Sequence, residues 1–441
     1  MSQENIRSLS NHYTLFEATF RSAVSYVVVV SFFLTGNGFI NSVFTFYWYY
    51  PVYLILILYW VLAYRTINRP AILGLSLILV HSVIVLVLHR FNGAAFMLKQ
   101  VINICFSTVV FAYFLRHEQY DIIEIFRKYC NVSKLVAIVG FIQVVLFAVN
   151  AGDLFLKVVP FESNISTRLQ SVTLEPSFIA YTLCPVVFLS LYNLFNRRRL
   201  IFGYTWSILF VLAYLLTISA VAMVALVFAF LILYFNPFTF NRAMFVVVIF
   251  SVIIGLVVAV YYTVPNIKLR IDDTLYAVSN DITKEDVYLN VNLSTYALLS
   301  NFYVTQHAVA SAPLLGSGVG TYELAYDNIL PEHMKAYWTL NRSDANSMGF
   351  RLAVEVGLIG FLAVVYFLYH FRVKRLVTWS VEKEILWVVN NGILIMILLW
   401  LIRSGHYSIH GRILFVLMYY YSCKYFYNDG KENGYLSDSS S

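Results

Sequence analysis

The chain has 441 residues, of which 60% are hydrophobic and only 12% charged, and its mean hydropathy is +0.73. Soluble globular proteins average about 25% charged residues, so this composition excludes an ordinary soluble protein. The net charge of +7 does not indicate nucleic-acid binding, because the basic residues mostly flank apolar runs, as in membrane proteins. We predict an all-α, polytopic transmembrane protein in which residues 1–441 form one integral membrane domain.

About twelve apolar runs are long enough to cross a hydrocarbon core of ~30 Å. We expect no cleavable signal peptide before the first run, since the N-terminal stretch is polar. The predicted spans lie near residues 22–40, 46–64, 71–89, 94–115, 135–150, 176–195, 201–218, 220–236, 244–264, 346–369, 385–402 and 412–427. Between the fourth and fifth spans, residues 116–134 are predicted to form a charged amphipathic segment on the cytoplasmic surface.

The basic residues predict the orientation of these spans. The triple arginine Arg197–Arg199 marks a cytoplasmic loop, which places both termini in the cytoplasm. Residues 151–175 then form a periplasmic loop and residues 265–345 a large periplasmic loop, whereas residues 428–441 form a cytoplasmic tail. The cysteines fall outside the large loops, so no structural disulfide is expected.

The first candidate site closes the first periplasmic loop, in RLQSVTLEPSFIA. Arg168 carries a planar guanidinium that can bind two phosphate oxygens at once. Glu175 precedes Pro176, where a helix commonly begins. A partly desolvated carboxylate at the membrane boundary could accept a proton as a general base. The alternative is a Glu-Pro-Ser turn that only caps the helix.

The second candidate is the glycine-rich stretch GSGVGTYE within the large loop. Gly318 and Gly320 would let backbone amides approach a phosphate closely. No Gly-Lys-Ser/Thr follows, so the stretch is not a P-loop. A tight turn is the alternative that the local sequence favours.

The third candidate runs from Arg342 through Asn346 into the tenth span. Arg351 and Glu355 lie four residues apart, so on a helix they share a face and can form a pair. A charge at membrane depth costs about 2.5–3.5 kcal/mol on insertion scales, which makes such residues functional candidates. The alternative is an ion pair that only joins two helices.

The fourth candidate is the last periplasmic loop, RSGHYSIHGR, which contains Arg403 and His406. His406 could act as a base, although a single external histidine is more often only solvated. With Arg168, Arg342 and Arg351, Arg403 would bring several arginines to one external cavity, which suits a pyrophosphate-bearing ligand. The sequence has no HExxH motif, no DxD motif in a periplasmic loop and no Cys/His cluster, so no metal and no cofactor is predicted.

These motifs resemble those of the O-antigen polymerase and O-antigen ligase superfamily of bacterial inner-membrane proteins. The resemblance covers the arrangement of spans with a large loop before the tenth span. It also rests on three local elements, which are Arg168 with Glu175-Pro176-Ser177, the glycines 316, 318 and 320, and the Glu-x-Gly-x-x-Gly pattern at residues 355–360. Where the ligase branch has a histidine, this chain has Asn346, which cannot act as a base. The polymerase (Wzy-type) branch is therefore favoured.

The resemblance implies a metal-independent glycosyltransferase that acts on the periplasmic face of the inner membrane. Its substrates would be oligosaccharide repeat units linked to undecaprenyl pyrophosphate in the lipid bilayer, and its product would be O-antigen or a related polysaccharide. A separate chain-length regulator is the implied protein partner. In this interpretation Arg168, Arg342, Arg351 and Arg403 bind pyrophosphate, Glu175 is the base with His406 in reserve, and Asn346, Glu355, Gly318 and Gly320 support them.

Two other functions stay open. The first is an O-antigen ligase, which performs the same chemistry with the lipid A core as acceptor. The second is a flippase or transporter of lipid-linked oligosaccharides, a class that often shows internal repeats and binds substrate near the bilayer midplane. The two halves of this sequence show no convincing repeat, and the candidate residues gather toward one predicted face, which favours an enzyme.

Overall fold

The computed structural model describes residues 19–34, 38–41, 44–47, 49–64, 69–152, 168–173, 175–234, 251, 255, 258, 261–262, 265–374, 380–407 and 410–428. These residues form a helical protein with one short β-hairpin, in agreement with the predicted fold class. Strands β1 (Gly38–Asn41) and β2 (Phe44–Tyr47) pair antiparallel. The helices are α1 Thr19–Ser31, α2 Tyr49–Tyr64, α3 Arg69–Leu88, α4 Ala94–His117, α5 Ile122–Ala148, α6 Pro176–Phe195, α7 Tyr204–Leu216, α8 Ala220–Tyr234, α9 Pro265–Ser279, α10 Glu285–Tyr288, α11 Leu293–Ser311, α12 Tyr322–Ile329, α13 Glu332–Tyr337, α14 Met348–Glu355, α15 Gly357–His370, α16 Val381–Arg403 and α17 Arg412–Tyr427.

Several of these helices could span a membrane. Among the described residues, α3, α4, α5, α6 and α16 are long and apolar enough to do so, and α1, α2, α7, α8 and α15 are shorter apolar helices. Most of the predicted span near 244–264, most of the predicted loop at 151–175 and nearly all of the predicted tail lie outside the described residues. The number of spans and their orientation therefore remain predictions.

Helices α6 and α16 form the centre of the bundle, and α3 lies at its periphery. In the apolar stretch of each helix, 78% of the residues of α6 and 83% of those of α16 are buried, against 17% for α3. Close approach of the two central helices occurs at Gly392, where a Cβ atom would lie 3.0 Å from the Cα atom of Pro185. The leucines and valines that α3 exposes are the kind of surface that lipid can cover.

The predicted amphipathic segment at 116–134 differs in the structure. Asp121 caps α5, because its Oδ1 atom accepts a hydrogen bond of 2.9 Å from the amide of Glu124. The helix then continues without a break to Ala148, so the predicted amphipathic segment and the predicted fifth span belong to one helix. Lys128 and Glu118 are both buried and form an ion pair of 2.7 Å. That neutralisation lets a charged stretch lie inside the bundle rather than on its surface.

The predicted tenth span is two helices rather than one. Helix α14 ends at Glu355 and α15 begins at Gly357, which has φ +65°. The carbonyls of Val354 and Glu355 accept hydrogen bonds from the amides of Ser317 and Gly318, at 2.8 and 2.9 Å. The last turn of α14 is thus bound to the glycine-rich segment at the point where the two helices are separated.

The predicted large loop folds into the helices α9 to α13. These helices have a small hydrophobic core of their own, which includes Tyr296, Tyr322, Tyr326 and Met334. Val354 of α14 belongs to the same core, so the loop is packed onto α14. The loop thereby holds residues 342–347 against the end of the bundle.

Candidate functional site

The carboxylate of Glu355 is the centre of the site. Glu355 is fully buried, and its Oε1 atom accepts hydrogen bonds from the Nε atom of Arg351 at 2.8 Å and from the amide of Tyr322 at 3.2 Å. Its Oε2 atom accepts a bond of 2.7 Å from the amide of Gly320. The predicted pairing of Arg351 with Glu355 is confirmed. Because the carboxylate also binds two backbone amides, it fixes the start of α12 against α14.

The glycine-rich segment therefore binds a carboxylate of the protein itself. Gly316, Gly318 and Gly320 all have positive φ, and a Cβ atom on Gly316 would lie 2.5 Å from the amide nitrogen of Gly357. The amide that was expected to approach a phosphate is the one that donates to Glu355. The structure thus has the tight turn that the local sequence favoured, and its role in the site is support.

The guanidinium of Arg351 uses all three of its nitrogen atoms. Besides Glu355, it donates to the carbonyl of Gly405 at 3.1 Å and to the Oε1 atom of Gln100 at 3.4 Å, and it lies 4.3 Å from the ring centre of Tyr407. The side chain is only 5% exposed. These contacts join α4, α14 and the segment between α16 and α17 at one point.

An acid–histidine pair lies beside Arg351. The Oδ2 atom of Asp344 is 3.1 Å from the Nε2 atom of His406, and the Asp344 side chain is 7% exposed whereas that of His406 is 44% exposed. The other oxygen of Asp344 accepts hydrogen bonds from the Nδ2 atom of Asn341 at 2.9 Å and from the amide of Asn346 at 3.3 Å. The carboxylate is therefore held rigidly, and the histidine presents its opposite edge to the outside.

Arg412 is a buried cation that was not among the predicted site residues. Its Nη1 and Nη2 atoms donate to the carbonyl and the hydroxyl of Ser404, at 3.0 and 2.5 Å, and its guanidinium lies 4.8 Å from the ring centre of Trp400. Within the described part of the chain it forms no ion pair. The charges of Arg351 and Asp344 act on it electrostatically. Its position as the first residue after a polar loop was the available sequence signal.

Three buried donors around this cluster lack hydrogen-bond partners among the described residues. They are the Nε atom of Arg412, the Nδ2 atom of Asn346 and the Nε2 atom of Gln100. A buried polar group without a partner costs about 1–3 kcal/mol. All three atoms are N–H donors, so a ligand that would satisfy them must carry acceptor oxygens.

Tyr181 links the remaining charges to this cluster. Its hydroxyl donates to the carbonyl of Arg403 at 3.1 Å, and it lies within the electrostatic reach of Arg412, Arg403, Glu175 and Asp344. The N-terminal end of α6 therefore faces the C-terminal end of α16 and the N-terminal end of α17. The structure thus brings Glu175 and Arg403, two of the predicted site residues, to the same end of the bundle.

Arg342 lies in the large loop and is already bound by two carboxylates. Its Nε and Nη2 atoms donate to Asp327 at 2.6 and 2.5 Å, and its Nη1 atom lies 2.9 Å from Glu323. These hydrogen bonds and charges raise the pKa of Arg342 above its usual value. A phosphate would have to compete with both acids for this guanidinium.

Arg168 and Glu175 have local partners. Arg168 donates to the carbonyls of Thr217 and Ile218, at 3.0 and 2.9 Å, just after the end of α7. Glu175 is exposed and accepts a hydrogen bond of 3.0 Å from Ser177, without the partial desolvation that was expected. Glu175 is at the N-cap position of α6, as the capping alternative predicted, but its side chain makes no capping hydrogen bond to a backbone amide.

The fold and the site define a class of protein: a helical protein with several helices that could span a membrane and with a buried, charged site at one end of its bundle. Among the described residues, no group of histidine, cysteine or acidic side chains could hold a metal ion. Comparison of the chain with protein-family models and with curated proteins found no match.

Proposed function

We propose that this protein is a polymerase that joins oligosaccharide repeat units, each linked to undecaprenyl pyrophosphate, into O-antigen or a related surface polysaccharide. The reaction would take place on the periplasmic face of the bacterial inner membrane. The sequence resemblance suggests this function, and the chemistry of the buried site supports it. The site offers two cations and unpaired N–H donors, and a departing pyrophosphate needs both.

The observation that carries the proposal is Arg412. A buried charge is costly unless it is paired and hydrogen-bonded. Arg412 is 4% exposed, yet Ser404 is a neutral partner and its Nε atom has no acceptor in the described part of the chain. A phosphate oxygen would provide both the missing charge and the missing acceptor.

In the proposed reaction, Arg351 and Arg412 stabilise the charge that develops on the leaving pyrophosphate. Donors that are held in place before the reaction contribute most when they lie where charge appears, and losing one such donor costs about 10²–10³-fold in rate. Arg403, at the end of α16, would be a further cation for the pyrophosphate. The roles proposed for Arg168 and Arg342 would require each guanidinium to exchange its present partners for the substrate.

The test begins with a gel of surface polysaccharide from cells that lack the gene and from cells that are complemented with it. A polymerase predicts that deletion collapses the ladder to core plus one repeat unit. If long polymer instead accumulates on its lipid carrier without reaching the lipid A core, the protein is a ligase. If repeat units accumulate on the cytoplasmic side, it is a flippase, and either outcome overturns the proposal.

Complementation with variants then tests the site. We expect Arg412→Ala to restore no ladder and Arg412→Lys to restore at most a weak one, because lysine cannot donate through two edges at once. The matched control is Arg127→Ala on α5, whose side chain is 52% exposed and pairs with Glu124 three residues earlier in the same helix. This control should restore the full ladder. Equal ladders from Arg412→Ala and wild type would remove Arg412 from the site.

A further inference from the structure

In the contact between Asp344 and His406, the histidine must be the hydrogen-bond donor. A carboxylate only accepts hydrogen bonds, so a neutral His406 that donates to Asp344 carries its proton on Nε2, the ring nitrogen 3.1 Å from the Oδ2 atom of Asp344. The Nδ1 atom then carries the lone pair. His406 is half-exposed, and its Nδ1 atom makes no hydrogen bond within the part of the chain that the structure describes. The free lone pair is therefore accessible from outside the bundle.

We propose that His406 is the general base of the transfer reaction, that it accepts the proton of the acceptor hydroxyl on Nδ1, and that Asp344 is the residue that positions it. This inference rests on the proposed function. It assigns the role of base to His406, which was predicted as the reserve, and not to Glu175. It also gives a role to Asp344, which had none.

The chemistry balances in one step. As the acceptor oxygen forms its bond to the anomeric carbon of the donor glycan, its proton moves to Nδ1 of His406. The bond between that carbon and the pyrophosphate oxygen breaks, and its electron pair leaves with the pyrophosphate beside Arg351 and Arg412. The imidazolium that forms is stabilised by Asp344, which does not itself take the proton. Loss of the proton to water then restores the base.

The surroundings of His406 keep it neutral, as a base must be. Burial lowers the pKa of His406 from its usual value, and Arg351 on α14 and Arg412 on α17 lower it further, while Asp344 opposes the shift. His406 is therefore unprotonated at neutral pH. Glu175 has no comparable arrangement, because it is exposed and its hydrogen bond comes from the nearby Ser177.

The test is transfer by the purified full-length protein, with lipid-linked repeat units extracted from the deletion strain as the substrate. We expect His406→Ala to lower kcat by about 10²–10⁴-fold, the contribution of a general base, with little change in KM. Asp344→Asn should lower kcat by a smaller factor, since the imidazole remains. The control is His307→Ala, because His307 is exposed on α11 and its contacts among the described residues, a hydrogen bond to a carbonyl and a ring contact, are with Tyr303 of its own helix.

The pH profile separates a base from a structural residue. The wild-type rate should fall as the pH drops through the pKa of His406, which burial lowers from its usual value. In Asp344→Asn the charge that opposes the shift is gone, so the fall should occur at a lower pH. A residue with only a structural role would lower the rate without moving the profile. Elution on size exclusion and the thermal midpoint show whether each variant is folded.

Two results would overturn the inference. One is His406→Ala protein with kcat within a few-fold of wild type, and the other is an unchanged acid limb in Asp344→Asn. Both differ from failure of the proposed function, in which the wild-type protein itself makes no polymer from the same substrate.

Discussion

Replacement of Glu355 by glutamine tests the centre of the site. The carboxylate accepts three hydrogen bonds, from Arg351, Gly320 and Tyr322, and donates none. A glutamine amide has only one acceptor oxygen, so in either orientation its NH₂ group faces an N–H donor. The substitution also leaves Arg351 buried without its counter-charge.

The size of the effect follows from these contacts. Breaking a buried ion pair by removing one partner costs about 3–5 kcal/mol. The entropy of unfolding is about 2 cal/mol/K per residue, so for 441 residues this loss lowers the thermal midpoint by roughly 3–5 °C. The matched control is Glu124→Gln, which removes an exposed pair with Arg127. Its cost is at most about 1 kcal/mol, or about 1 °C.

The assay is thermal unfolding in detergent, followed by the fraction of protein that still elutes as folded. A midpoint for Glu355→Gln within one degree of wild type would show that Glu355 does not hold the charge of Arg351. The double variant Arg351→Met/Glu355→Gln adds a second criterion. It should be less destabilised than the sum of the two single variants, since contacting residues are not additive.

Two further predictions concern stability. Gly357→Ala should destabilise the protein by more than about 1 kcal/mol, because Gly357 has φ +65° and a Cβ atom would lie 2.4 Å from the carbonyl oxygen of Leu314. Gly74→Ala in α3, where nothing lies within 4 Å, is the control and should be neutral or stabilising; equal midpoints would contradict the prediction. Lys128→Met should lower the midpoint by several degrees, since it leaves Glu118 buried and unpaired. Adding Glu118→Leu should recover much of the loss, and no recovery would refute the pairing argument.

The sequence determined the class of fold because hydrophobicity and length are local properties. An apolar run long enough for a bilayer must form a helix there, since lipid offers no partner for backbone groups. The predicted spans at 71–89, 94–115, 176–195 and 385–402 therefore correspond closely to α3, α4, α6 and α16. The same reasoning failed at residues 116–134, because a charged stretch looks like surface unless its buried partner is known.

Spacing along one helix also predicted a side-chain contact. The four-residue interval between Arg351 and Glu355 predicted their ion pair, and the pair is present. The break between α14 and α15 at Val356 could not be predicted from the sequence, because it depends on hydrogen bonds from residues far away in the chain. Gly316 and Gly357 lie 41 positions apart, yet their backbones touch, and only the folded large loop brings them together.

The tertiary structure alone decided how the candidate residues are grouped. The predicted topology brought four equivalent cations to one face, namely Arg168, Arg342, Arg351 and Arg403. In the structure Arg342 is bound by two acids, and Arg168 is bound by carbonyls at the end of α7. A guanidinium has the same chemistry everywhere in a sequence, and its availability depends on the acceptors that the fold places around it.

Arg412 and the Asp344–His406 pair also depend on the fold. Packing leaves Arg412 without an ion-pair partner among the described residues, and it brings Asp344 to His406. Asp344 and His406 are 62 positions apart in the chain, and nothing in either local sequence indicates the other. They meet because the large loop packs on α14 while α16 ends beside it. The sequence thus determined which helices form and where charge enters them, and the packing of distant segments decided which charges are neutralised by a partner and which are not.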